Sequence, residues 1–425
     1  MAQRGIREFD GKQMMARHWK QYFGQLPAYH GKVVLVTPDT DYEQLQTAHP
    51  WLMQGKLVVK PDQLFGKRGK HGLVKVANTF NEARAWIDER MNKETTVGKV
   101  TDRLNCFLIE PFTPHQGEYY IAIKSVREGD VVYFSNHGGV DIESVWDTVA
   151  EIRIGTGQDV DQVDVEARLP GDTPADKRVL IASFIRGLFK FYYDLAYAYL
   201  EINPFVITED AIVPLDLVAR LDDTALFERG DRWGDVPFPA PFGRKLSKEE
   251  LFVKEMDEKS GASLKLTILN PQGRVWTMVA GGGASVIYTD TIVDLGFGQE
   301  LANYGEYSGN PSTSETYQYA RTLLDLMTRE RDPHGRPKFL LIGGGIANFT
   351  DVAKTFTGIT MALKEFQHKL QEANVHIYVR RGGPNYQEGL RMMKELGKEL
   401  GVPVEVYGPE MHMTRIVNLA LSGKN

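Results

Sequence analysis

In the stretch from Lys338 to Thr350, four apolar residues run into three glycines and then toward a helical pattern. The run Phe339 to Ile342 has the length of a buried strand in a parallel sheet, and Gly343, Gly344 and Gly345 break it at once. Glycines without Cβ atoms let backbone N–H groups close on a ligand, and a helix that follows adds unpaired donors and a positive dipole end. Asn348 and Thr350 place neutral side-chain donors at the expected helix start, which suits a polycarboxylate at least as well as a phosphate. The competing reading is a glycine turn that only packs helix on strand.

The surrounding pattern supports a sheet. From Leu264 onward strands and helices alternate: strands at 264–269, 274–279, 375–379 and 404–406, helices at about 313–330, 352–369 and 386–400, and a last helix from Thr414. This predicts a doubly wound parallel sheet. A second glycine triplet, Gly281 to Gly283, ends one strand, and Arg380-Arg381 ends another. Backbone donors and cations then share one carboxyl edge, where a guanidinium at Arg381 could complete a tricarboxylate pocket or be an ordinary surface arginine.

The first half carries a different set of signals. Residues 1 to about 25 are polar with helical spacing, and Val33 to Val36 reads as a strand. The strand Leu57 to Lys60 runs toward the segment 65–72, which combines three glycines with Lys67, Arg68 and Lys70. No Gly-Lys-Ser/Thr follows, so a glycine-rich flap over phosphates is the functional reading and a solvated basic turn the other. After a strand at 106–109, Pro111 and Pro114 stiffen a connection that could present backbone groups to an adenine edge, with Glu118 beyond for ribose hydroxyls. A helix is expected over 174–200, capped by Thr173, with Leu180, Phe184, Leu188, Phe191 and Leu195 on one face. A hairpin follows, Tyr199 to Pro204 against Val213 to Leu217, which puts Asn203 and Asp216 on one side as hard oxygen ligands for Mg²⁺. A linker is expected over 228–246, around Trp233.

Composition excludes some classes. The 425 residues, 42% hydrophobic and 25% charged, allow two or three globular domains. A net charge of -6 and no long Lys/Arg run argue against nucleic acid, and no stretch approaches a membrane span. The N-terminus lacks an apolar signal region, and the single Cys106 cannot form an internal disulfide, so a cytoplasmic protein is expected.

Several long words are mutually ordered along the chain: Leu57 to Gln63, Phe107 to Phe112, Leu200 to Pro204, Lys259 to Thr267, Trp276 to Ser285, Ala302 to Gly309, Ile346 to Thr350 and Val379 to Gly389. They closely resemble ATP-citrate lyase over essentially the whole chain, in the part similar to the β subunit of succinyl-CoA synthetase. The resemblance implies an α/β chain: an ATP-grasp region over 1–243, its smaller subdomain at about 21–110, then a flavodoxin-like CoA-ligase domain with a parallel sheet over 244–425. It places nucleotide contacts on Lys60, Arg68, Gly69, Pro111, Thr113 and Glu118. Metal positions fall on Asn203 and Asp216, and a further family metal site on Asp257, Ser260 and Ala262. Citrate contacts fall on Gly309, Asn348, Thr350 and Arg381, with Phe349, Gly282 and Gly283 as neighbours. Phe366 stands where a citrate-contacting Tyr is expected in animal relatives. His137 stands where related synthetases tend to carry Glu.

The implied chemistry activates a carboxylate with ATP through a phosphohistidine and then an acyl phosphate. The family carries that histidine in a Gly-His-Ala-Gly-Ala loop, and none of the ten histidines lies in one. The citrate-synthase-like module is also missing. The expectation is a split enzyme: this subunit binds ATP, Mg²⁺ and citrate, while a partner subunit in a hetero-oligomer brings the phosphohistidine, the main CoA site and the lyase module. Citryl-CoA synthetase is the nearest alternative, and succinyl-CoA synthetase a more distant one.

Overall fold

The computed structural model describes residues 3–139 and 142–422, and the chain divides into two compact units, 1–245 and 246–425. No helix among the described residues is long and apolar enough to cross a membrane.

The first unit is built on antiparallel sheets. The larger sheet orders its strands Gln3–Ile6, Leu217–Asp222, Tyr197–Ile207, Tyr119–Val126, Gly129–Ser135 and Ala150–Gly155, and Ile212–Pro214 pairs with Tyr197–Ile207 off that path. Alternation gives it two faces: Ile121, Ile123, Val132 and Phe134 enter the main core, while Tyr120, Ala122, Val131 and Tyr133 cluster on the reverse. Helices Glu8–Phe23 and Arg178–Asp194 cover the main face, with Phe23 stacked on Trp19 at 4.3 Å and on Phe184 at 5.4 Å. Burying each such ring stabilises the unit by about 1.5–3 kcal/mol. The helices approach closely because Gly187 has no side chain: a Cβ there would lie 2.7 Å from the Tyr22 carbonyl oxygen.

The second helix is shorter than the expected 174–200. Thr173 is buried and bonds to Asn136, so it does not act as a cap, and the helix begins at Arg178. It stops where Ala196 adopts a φ of 52°, after which Tyr197 onward pairs as a strand. The linker reading of 228–246 is also corrected. Leu226–Trp233 is a helix, and the Trp233 indole is buried in the core, donating to the Leu195 carbonyl at 2.8 Å. The strand Gln3–Ile6 was not anticipated, because four residues without alternation give no signal of their own.

A smaller sheet in the same unit runs Val34–Val36, Phe107–Pro111, Leu57–Pro61, Lys75–Ala77. Val58 pairs with Glu110, which makes Lys60 and Glu110 diagonal neighbours on adjacent strands.

The second unit has four parallel strands in sequence order, Val275–Ala280, Lys338–Gly344, Val375–Arg380 and Val404–Tyr407. Right-handed crossovers stepping in one direction put their helices on one face. Thr313–Thr328, Val352–Glu365 and Tyr386–Leu400 accordingly share one core with the strands, and Gly282–Ile292 and Arg415–Ser422 cover the other face. The order contains no reversal, so the doubly wound expectation holds only in that both faces are covered. An antiparallel pair, Ser263–Ile268 with Asn303–Ser308, lies in the same unit.

Candidate functional site

The first unit encloses a cavity of ≈550 Å³. Its lining includes Lys60, Arg68, Gly69, Pro111, Thr113, Glu118, Asn203 and Asp216, so the structure brings all six expected nucleotide residues and one expected metal pair to a single place. Val58, Phe65, Phe112 and Ile142 supply an apolar wall. His115 links this edge, with Nε2 3.0 Å from a Glu118 carboxylate oxygen and Nδ1 2.7 Å from the Thr113 carbonyl. The 65–72 segment connects two strands of the small sheet and contains a short turn of helix, Gly69–His71.

Arg68 is not a free cation on a solvated loop. It is 6% exposed, donates to the Pro61 carbonyl at 2.9 Å, and pairs with Glu8 at 2.5 Å and with Asp216. Beneath the cavity lies an ionic cluster that sequence reasoning missed. Lys12, wholly buried, meets Glu8 at 2.6 Å and Glu110 at 2.5 Å. Lys60 meets Glu8 at 2.8 Å and Glu110 at 2.9 Å. Burial opposes the charge of Glu8, but Lys12, Lys60 and Arg68 outweigh it and hold the carboxyl well below its ordinary range. Burial likewise opposes Lys12, and Glu110 and Glu8 more than compensate, raising it. Asp62 accepts from the backbone N–H groups of Glu8 and Phe9, each at 2.9 Å, and so caps the helix that carries Glu8 and Lys12. The available signal was spacing: Glu8 and Lys12 are four apart on an amphipathic helix whose polar face would otherwise face water.

Asn203 and Asp216 are joined through their backbones at 3.1 Å and both line the cavity. Asn203 Oδ1 accepts from the Gly139 N–H at 2.7 Å, and Asp216 is engaged by Arg68. Burial pushes the Asp216 carboxyl up, against the pull of Arg68. Among the described residues no group of three His, Cys, Asp or Glu side chains could cage a metal. Two oxygen donors at the cavity wall nevertheless fit Mg²⁺, which keeps waters and takes phosphate oxygens for its remaining positions. The other expected metal set lies at one turn of the second unit. Asp257 accepts from the Leu264 N–H at 2.8 Å and pairs with Lys265, and Ser260 Oγ binds Glu315 at 2.5 Å and the Ala262 N–H at 3.0 Å. These contacts hold the three residues together at that turn.

In the second unit the glycine turns converge at the carboxyl edge of the parallel sheet. Arg381, 4% exposed, donates to the Gly345 carbonyl at 2.7 Å, while its buried Nε has no partner. The Ala347 N–H donates to the Gly382 carbonyl at 3.0 Å, and the Asp351 N–H donates to Asn310 Oδ1 at 3.4 Å, which ties the Asn348–Thr350 loop to the Arg381 strand end and to Asn310, the residue after Gly309. Thr350 is buried, Asn348 exposed, and Phe349 is 69% exposed. Gly344 must be glycine here, since its φ is 154° and a Cβ would meet Arg381 at 2.6 Å. The Tyr307 hydroxyl is a second buried group without a partner, and the Arg381 charge acts on it.

The helix start differs from expectation. Val352–Glu365 begins after Asn348 and Thr350, and Asp351 caps it by accepting from the Lys354 N–H at 2.9 Å. A helix start without a side-chain cap is at Gly282, following Gly281 with a φ of 101°. Phe366 does not join the edge. It ends the 352–365 helix, packed in the apolar core at 6% exposure. Fourteen residues at ~1.5 Å each place it roughly 20 Å from Val352.

A buried-cation cavity between antiparallel sheets, followed by a parallel unit with a glycine-lined edge, is the architecture of an ATP-grasp domain joined to an acid-ligase domain. Two family models match: residues 2–233 an ATP-citrate synthase ATP-grasp domain, and residues 244–423 an ATP citrate lyase citrate-binding domain. The bovine ATP-citrate synthase is 51% identical over 425 residues, 99% of this chain but 38% of the relative. The rice ATP-citrate synthase alpha chain protein 2 is 50% identical over 422 residues, covering 99% of this chain and 98% of the relative. A solved ATP citrate lyase from Methanothrix soehngenii, in complex with citrate and coenzyme A, has 57% identity and a TM-score of 0.87, covering 99% of this chain and 100% of that one. The chain belongs to the ATP-citrate synthase family, also called ATP citrate lyase, and spans about 38% of the length of the bovine relative.

Proposed function

We propose that this chain is the ATP- and citrate-binding subunit of ATP-citrate lyase, which converts ATP, citrate and CoA to ADP, phosphate, acetyl-CoA and oxaloacetate. A companion subunit supplies the phosphohistidine, the main CoA site and the citryl-CoA lyase module. The observation that carries this reading is one chain with two anion sites of different design: a cavity lined by Lys60 and Arg68, and a buried Arg381 whose Nε lacks a partner beside glycine turns. The rice alpha chain, covered over 98% of its length, supports the split.

Lys60 and Arg68 bind phosphates, Pro111 and Thr113 line the base edge, and Glu118, fixed by His115, faces the ribose. Asn203 and Asp216 would hold Mg²⁺, which supplies charge neutralisation to the phosphates. Arg381 takes a citrate carboxylate, with Asn348, Thr350 and Gly309 around it. The uncapped start of the Gly282 helix offers N–H groups to an anion at the same edge. The lone thiol, Cys106, is buried with its pKa pushed up to about 12, and a cytoplasmic setting suits it.

The test is calorimetry and product analysis on the chain alone and with its companion. The chain alone is expected to bind Mg-ATP and citrate and to form no acetyl-CoA; turnover by the homogeneous chain would refute the split. Accumulated citryl-CoA from the complex, in place of acetyl-CoA and oxaloacetate, would identify a citryl-CoA synthetase.

A further inference from the structure

Lys60 and Arg68 reach into the cavity, and among the described residues the carboxylate paired with both of them is one that does not line it. Glu8 is 3% exposed, and its two oxygens touch Lys12 at 2.6 Å, Lys60 at 2.8 Å and Arg68 at 2.5 Å. The backbone of Glu8 is held separately, because Asp62 accepts from the N–H groups of Glu8 and Phe9. Asp62 follows Lys60 by two residues at the end of the Leu57–Pro61 strand. That strand end therefore grips the helix start at two points, once through Asp62 and once through Lys60, and the Glu8 carboxylate sits between them.

The other anions cannot do this work. Glu110 reaches Lys60 and Lys12, whereas the carboxylates paired with Arg68 among the described residues are Glu8 and Asp216; Asp216 belongs to the proposed metal position, so its hold on Arg68 ends when it takes another partner. We infer that Glu8 is a positioning residue of the nucleotide site, the fixed counter-ion that aims both Lys60 and Arg68 at the phosphates. This deepens the ATP reading and rests on it. A long, flexible lysine and arginine without such an anchor lose side-chain freedom only on binding, which weakens affinity for phosphates and leaves affinity for the base untouched.

The experiment uses the full chain and calorimetric titration with Mg-ATP, adenosine and citrate. Glu8→Gln is expected to weaken Mg-ATP at least 10-fold while adenosine and citrate stay within twofold of wild type. Glu8→Asp, which keeps the charge, should recover most of the loss. Because Glu8→Gln leaves Lys12 with one fewer counter-ion, Glu8→Gln with Lys12→Met serves as the charge-balanced variant and should show the same selective loss. Equal falls in adenosine and ATP affinity in the balanced variant would mean a merely structural role and overturn the assignment, as would unchanged Mg-ATP affinity. Wild-type chain that binds no Mg-ATP would overturn the ATP reading itself, a result distinct from either.

Discussion

Replacing Arg381 by Lys keeps the positive charge at the sheet edge and removes the guanidinium fork. In the wild type one arm donates to the Gly345 carbonyl at 2.7 Å and the buried Nε has no protein partner, so the remaining N–H groups are left for a carboxylate. A charge-assisted hydrogen bond contributes about 1.5–3 kcal/mol, so losing the paired geometry should raise the citrate Kd by roughly 10- to 100-fold. Thermal melting reads this directly. Citrate at 100 times the wild-type Kd stabilises by about 2.7 kcal/mol, roughly 5–10 °C for a unit of this size. A variant 30-fold weaker keeps about 0.9 kcal/mol at the same concentration, roughly 2–3 °C. Mg-ATP affinity should not move, since its cavity is lined only by residues of the other unit. Full citrate protection in Arg381→Lys would refute the assignment of Arg381 to the tricarboxylate.

Phe366→Tyr should leave citrate affinity within twofold by calorimetry, because position 366 lies in the core at the far end of its helix. Gly343→Ala should lower the melting temperature by several degrees: a Cβ there would lie 2.4 Å from the Tyr288 ring, which is buried and bonded to the Met413 carbonyl, and overpacking of this kind costs about 1–3 kcal/mol. Asp10 and Asp62 are each pushed up to about 6, chiefly by burial, from an ordinary 3.8. The folded chain then keeps these protons to higher pH than the unfolded chain, so stability falls as pH rises through this range, by about 3 kcal/mol per group. Glu8, held low, acts in the opposite sense only below its ordinary 4.5. Urea denaturation between pH 4.5 and 7 should therefore show declining stability that flattens above pH 6, with a shallower slope in Asp10→Asn.

The cavity lining was legible because its residues sit on turns and strand ends: glycines and prolines mark where a backbone can approach a ligand, and Lys60 and Asp216 interrupt apolar runs. Glu8, Lys12 and Glu110 were not legible, since a charged residue on an amphipathic helix or beside a proline reads as solvated until the fold places the helix against the sheet. The 386–400 helix agrees in both ends because Asn385 and Gly401, both left-handed, bound it. The 352–369 helix does not, because the turn at Phe366 depends on packing that periodicity cannot express. The helix start after the glycines was misplaced for a similar reason. Asn348 and Thr350 are good caps in isolation, but Asp351 caps better, and the loop before it is held by Gly382 from a neighbouring strand end.

The two sites answer opposite charge problems. Beneath the nucleotide cavity Lys12, Lys60 and Arg68 face Glu8, Glu110 and Asp216, three cations against three anions in direct contact. Among the described residues no carboxylate pairs with Arg381, and burial works against its charge. A balanced cluster would bind a bare polyanion poorly, because every cation already has a partner. A nucleotide that arrives with its own divalent cation offers a new partner to each member of the Arg68–Asp216 pair, so opening that pair leaves neither charge stranded. On the proposed reading citrate brings no cation, and Arg381, without a carboxylate partner among the described residues, leaves the ligand to meet its desolvation cost.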